Sequence, residues 1–150
     1  MADLNGKTAG PHGPSPIGPG KFRGPYRILV VDDNRDAADS MRILLKLMGG
    51  DVRAAFGGAE ALEIAESFRP EVVLLDIGMP KMHGYDVARH LRGTGWGKNV
   101  VLLALTGWAR EEDRRRTEEC GFDAHIIKPC QAAELRETVE HLLDRRLSQA

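Results

Sequence analysis

Five short apolar runs, at residues 26–31, 52–56, 72–75, 100–105 and 124–127, alternate with stretches whose apolar residues recur at helical spacing. Three of these runs are near-continuous Val, Ile and Leu, the pattern of strands covered on both faces of a parallel sheet. Between them Ala37, Met41, Leu44, Leu45 and Met48 share a helical stripe, as do Ala61, Leu62 and Ala65, then Val87, Ala88 and Leu91. Leu135, Val139, Leu142 and Leu143 repeat the pattern at the end. Gly49-Gly50 stops the first helix and Arg69-Pro70 the second. The order is a strand and a helix repeated five times. Right-handed crossovers put such a chain into an α/β three-layer sandwich, with helices on both faces of one parallel sheet. One helix departs from the rule: Arg110 to Glu119 has no apolar stripe and is expected to be the least anchored, held by pairs such as Arg114 with Glu118.

A length of 150 residues, 42% hydrophobic and 29% charged, suits one folded domain. Residues 1–25 hold six Gly and five Pro and almost no large apolar side chains, which predicts a flexible tail or linker. The folded domain is expected over 26–147, with 148–150 as a short tail. A net charge of -1 gives no general attraction to nucleic acid or to an anionic membrane. The longest apolar run, Val100 to Leu105, is far short of the roughly 20 residues that span a bilayer. With no secretory signal either, a cytoplasmic location is expected. The two cysteines, Cys120 and Cys130, have neither disulfide-framework nor zinc-ligand spacing and read as free thiols. The segment GTGWG at 93–97 follows a helix and precedes a strand, the reverse of a nucleotide loop, so it reads as a helix stop and turn.

In an open parallel sheet, ligands bind at the carboxyl ends of the strands. The first run here ends in Asp32-Asp33, the third in Asp76, the fourth in Thr106 and the fifth in Lys128. A lone Asp after a strand is usually a cap or turn residue. Three carboxylates, a hydroxyl and an ammonium delivered to one edge are a site. Crowded carboxylates repel, and a hard divalent cation relieves them; oxygen donors with room for water and phosphate oxygens favour Mg²⁺. Beside such an ion a carboxylate can attack phosphorus and become an acyl phosphate. Asp32 and Asp33 are adjacent and suited to holding the cation, whereas Asp76 stands alone on the central strand and is the better nucleophile. Lys128 and Thr106 can meet the charge on the transferred group.

The stretches ILVVDDN, VVLLDIGMPKMHGYDVARHLR, LLALTGW and HIIKP, in this order and at these separations, resemble the response-regulator receiver domain of two-component and phosphorelay signalling over residues 26 to about 147. The resemblance implies a flavodoxin-like sheet of strand order 2-1-3-4-5. It implies that Asp32, Asp33, Asp76 and the backbone carbonyl of Gly78 bind Mg²⁺, and that Asp76 accepts phosphate from a histidine kinase or histidine phosphotransfer protein. It also implies that Thr106 and Lys128 contact the phosphoryl group, that the Lys128-Pro129 bond is a candidate cis peptide, and that Thr106 and the residue at 125 form the switch. Position 125 is commonly a large aromatic in the family; here it is His125, smaller and titratable. His83 stands where the MPxMDG loop usually has an acidic residue, which is expected to alter partner choice.

The receiver pattern runs almost to the end of the sequence, so output is expected through another, unidentified protein, with the molecule a monomer or weak dimer. The weakly anchored helix and the elements after it, linked to Thr106 through Gly107-Trp108, are the expected switching surface. No turnover of an external substrate is expected. Two alternatives stay open: a degenerate receiver acting only as a docking module, and an Asp-nucleophile phosphatase, which would need an acid/base Asp where Gly78 stands.

Overall fold

The computed structural model describes residues 20–77, 84–107 and 111–148. Its strands are β1 (Arg27–Val31), β2 (Asp51–Ala55), β3 (Val72–Asp76), β4 (Val101–Thr106) and β5 (Ala124–Ile127). The helices between and after them are α1 (Arg35–Leu47), α2 (Gly58–Phe68), α3 (Gly84–Arg92), α4 (Glu111–Glu119) and α5 (Ala132–Ser148), with a 3-10 turn at Trp96–Asn99. The strands form one parallel sheet in the order β2-β1-β3-β4-β5. That is the expected 2-1-3-4-5 order, and it leaves β3 in the centre.

Side-chain alternation along each strand divides the core in two. Leu29, Val31, Val73, Leu75, Leu102 and Ala104 face one side and pack with Ala61 and Ala65 of α2 and Val87, Ala88 and Leu91 of α3. Ile28, Val30, Val72, Leu74, Val101, Leu103 and Leu105 face the other and pack with Ala38 and Leu45 of α1 and Leu135, Val139 and Leu142 of α5. Every residue of β3 and β4 is buried. Near-continuous apolar runs are therefore what a twice-covered strand requires, and each Leu or Val so buried contributes roughly 1.5–3 kcal/mol.

Local chemistry fixes the helix ends. Asn34 caps α1, its side chain accepting from the Ala37 N–H at 3.1 Å. Arg69 closes α2 in the left-handed region at φ 51°.

Two expectations change. The part of residues 1–25 that is described is docked: Phe22 is only 8% exposed and belongs to the core on the α1/α5 side. One aromatic ring in a Gly/Pro-rich stretch finds apolar cover that average composition does not register. In α4 the expected Arg114–Glu118 pair does not form; Arg116 instead lies over the Tyr85 ring of α3 at 5.2 Å. Thr117 and Cys120 are buried on that helix's inner side and just beyond its end.

Candidate functional site

The carboxyl ends of β1, β3, β4 and β5 bring the expected groups to one edge of the sheet. Asp32 directly follows β1, and its N–H donates to Ala55 O of β2 at 3.1 Å. Its Oδ1 accepts from the Asn34 N–H at 2.9 Å. Asp76 is the last residue of β3 and Thr106 the last of β4, so the register that buries both strands also sets their ends. Lys128 follows β5, its N–H donating to Thr106 O at 2.7 Å.

Asp32 and Asp76 are each 7% exposed and Thr106 is 3% exposed. Burial of carboxylates without charge relief is costly. Relief comes partly from Lys128, whose Nζ is in direct contact with Asp76 Oδ2. Asp32 adjoins the same group: burial first, and then the charge of Asp76 and a hydrogen bond with it, push the Asp32 carboxyl above its ordinary value. The Asn34 N–H and the Lys128 ammonium pull the other way. Asp33, half-buried, lies between Asp32 and the α1 cap. The Lys128-Pro129 peptide is cis. His125 is half-buried in β5, paired in register with Ala104; alternation with Ile126 and Ala124 puts it on the α2/α3 side of the sheet. Gly78, His83 and Trp108 lie outside the described residues.

The donors at this edge are oxygens, the set that suits Mg²⁺. Among the described residues no group of three or more acidic, His or Cys side chains forms a ready-made cage. Mg²⁺ does not need one, because it is usually held by one or two carboxylates and keeps several waters. The adjoining carboxyls of Asp32 and Asp76, the first with its pKa raised by burial and then by the other's charge, fit that pattern. On the same rim the guanidinium of Arg35 lies over the Phe56 ring at 4.4 Å. Sequence reading did not single out that pair, because the two residues come from different strand ends.

The opposite edge carries a cluster that sequence reading also missed. Asp123, just before β5, accepts from Arg92 Nη2 at 2.9 Å and from the buried Leu102 N–H at 2.8 Å through Oδ2. Its Oδ1 accepts from Arg146 of α5. Arg92 also donates to the carbonyls of Gly121, Gly97 and Val100. Partners 31 and 23 residues from Asp123 leave no local signature.

Comparison with known proteins agrees with this geometry. The family model described as the response regulator receiver domain matches residues 28–140. The chain is 39% identical over 121 residues to the response regulator MprA of Mycolicibacterium vanbaalenii, covering 81% of this chain and 52% of that protein. It therefore spans about half of that relative's length. It is 36% identical over 113 residues to an uncharacterised 14.6 kDa protein of Leptolyngbya boryana, covering 75% of this chain and 86% of the other. Among solved structures, the chemotaxis response regulator CheY4 of Vibrio cholerae superposes with a TM-score of 0.73 at 27% identity, over 79% of this chain and 98% of that one. The signal receiver domain of a signal transduction histidine kinase from Syntrophus aciditrophicus gives 0.72 at 31% identity, over 80% and 91%. With its 2-1-3-4-5 sheet and its aspartates gathered at the carboxyl edge, the chain belongs to the response regulator receiver family.

Proposed function

We propose that the chain is a phospho-accepting receiver in which Asp76 takes a phosphoryl group from a phosphohistidine on a histidine kinase or histidine phosphotransfer protein. The observation that carries this reading is the contact of Lys128 Nζ with Asp76 Oδ2, beside an Asp32 whose carboxyl is pushed up by burial and then by the charge of Asp76. A carboxylate oxygen of Asp76 attacks phosphorus, the P–N bond to the donor imidazole breaks, and its electron pair leaves with the imidazole, which takes up a proton. The product on Asp76 is an acyl phosphate. Lys128 meets the charge spread over the phosphoryl oxygens, and the Thr106 hydroxyl donates to one of them. Asp32, Asp33, Asp76 and the Gly78 carbonyl would hold Mg²⁺, which would neutralise charge at the transferring group. Hydrolysis returns the carboxylate, so the molecule turns over no external substrate.

Drawing Thr106 toward the phosphoryl group is the proposed link to α4, β5 and α5, with His125 following on β5. The output is a protein partner, and the location is cytoplasmic. No described helix is long and apolar enough to cross a membrane.

Incubation with acetyl phosphate and Mg²⁺, followed by intact-mass analysis, tests the reading. The wild type is expected to gain one phosphoryl group and Asp76→Asn none. An adduct on Asp76→Asn moves the nucleophile elsewhere; no adduct on the wild type removes the acceptor reading.

A further inference from the structure

Residues 20–26 do not simply lead into β1. From Tyr26 they run back along α5, crossing the C-terminus of α1 on the way. Lys21 Nζ donates to Leu47 O at 2.7 Å, and the Phe22 N–H donates to Met48 O at 2.8 Å. These are carbonyls of the kind that a helix end leaves without intrahelical donors, at the pole where a cation is favoured. The Phe22 ring sits edge-on to Tyr26, with centroids 5.5 Å apart, and closes the core on this side. The Arg23 N–H donates to Glu140 Oε2 at 2.7 Å, while its guanidinium reaches Glu140 at 3.3 Å and Asp144 at 2.9 Å. Gly20 then passes so close to Arg136 that a Cβ would stand 1.7 Å from Nη1, and its φ of +82° is one that glycine adopts freely.

The groove thus presents three demands in a row: a carbonyl pair asking for a cation and an N–H, an apolar socket, and two carboxylates. Lys21-Phe22-Arg23 meets them in order. The closure is marginal: one ring is buried against the entropy of ordering the whole segment, and the Arg23 and Asp144 side chains remain 59% and 56% exposed. Gly20 and Gly24-Pro25 flank the tripeptide, so it can lift as a unit.

We propose that the groove between the C-terminus of α1 and the outer face of α5 is a docking site for a basic–aromatic–basic segment of a partner protein, filled in the resting molecule by this chain's own Lys21-Phe22-Arg23. The partner competes with the strap, and its arrival frees the N-terminal segment from α5. This holds whether or not Asp76 accepts phosphate.

The test uses the full chain and the acetylated, amidated peptide of residues 20–26. Arg23→Glu sets like charges against Glu140 and Asp144 and opens the strap; exchange of the Phe22 amide is expected to quicken by about fivefold. Adding Glu140→Arg to that variant is expected to restore protection. In a nitrogen-labelled titration the peptide is expected to shift the Met48, Glu140 and Asp144 amides of Arg23→Glu saturably, and to bind wild type about fivefold more weakly, the same ratio of open populations that the exchange rates report. Unchanged Phe22 exchange in Arg23→Glu overturns the proposal, as does equal binding by both forms or an opened groove that ignores the peptide. Phe22 exchange that slows with protein concentration in the wild type also overturns it, by placing the strap in a second copy.

Discussion

The two edges of the sheet use the same chemical parts in opposite proportion. At the edge where the strands begin, one carboxylate, Asp123, is enclosed by Arg92, Arg146 and the Leu102 N–H. At the edge where they end, Asp32 and Asp76 are buried side by side against the ammonium of Lys128, with Asp33 next in the chain. The first arrangement surrounds an anion with donors until its lone pairs are met. The second buries anions side by side until one of them resists ionising, through burial first and its neighbour's charge after that. Saturation of a buried charge is the mark of a structural network. A buried carboxyl held above its ordinary value beside another carboxylate marks a candidate functional site.

The contrast breaks most visibly at Asp123. Replacing it with Ala strips the acceptor from the buried Leu102 N–H and leaves two guanidiniums facing each other across a partly buried space. Asp123→Ala is expected to cost about 2–4 kcal/mol in denaturant unfolding, because removing one partner strands the others. Phosphorylation per folded molecule should stay at the wild-type rate. A variant that keeps its stability but loses phosphorylation would reverse the roles of the two edges.

Packing around glycines sharpens the same contrast. Gly97 belongs to the strand-start edge, where its carbonyl accepts from Arg92, and a Cβ there would stand 1.9 Å from Leu91 O and 2.4 Å from Thr94 Oγ1. Both obstacles are held in place, one being backbone and the other donating to that same carbonyl. Gly97→Ala is expected to cost roughly 2 kcal/mol. Gly107, at the strand-end edge, has no described atom within 4 Å of a built Cβ. Gly107→Ala should stay within about 0.5 kcal/mol of wild type, measured by the same unfolding curves.

The two edges also differ in how far a sequence reveals them. The strand-end site is linear: Asp32, Asp76, Thr106 and Lys128 each come at the end of their own apolar run or directly after it, so one rule about where parallel strands deliver their ends gathers them. The layer order follows from the same alternation, the strand order is what the receiver resemblance implies, and the five strands fall within a residue of the expected ends. The opposite edge is assembled across the fold. Arg92 ends α3, Arg146 lies near the end of α5, and nothing beside Asp123 in the chain announces either. Phe22 escaped for a related reason: composition averages a segment, while a socket recognises one ring. Arg116 shows what pair rules on a helix leave out, since its guanidinium lies over Tyr85 of a neighbouring element.

The finest test of crowding lies at Asp32. Because its carboxyl is pushed above the ordinary carboxylate value, the folded protein holds that proton over a pH window in which the unfolded chain has released it. Stability attributable to Asp32 is therefore greatest at low pH, falls as pH rises from the ordinary value through the raised one, and stays at the lower level at neutral pH. Asn keeps a carbonyl oxygen for the Asn34 N–H and carries no charge to lose. In metal-free buffer Asp32→Asn is expected to gain up to about 1 kcal/mol at neutral pH, and its stability profile should lack this descending limb. Adding Mg²⁺ should raise the unfolding midpoint of the wild type and leave that of Asp32→Asn nearly unchanged, because a ligand stabilises only the state that binds it. Loss of stability in Asp32→Asn at neutral pH without metal would place Asp32 with Asp123, among the carboxylates that hold the fold together.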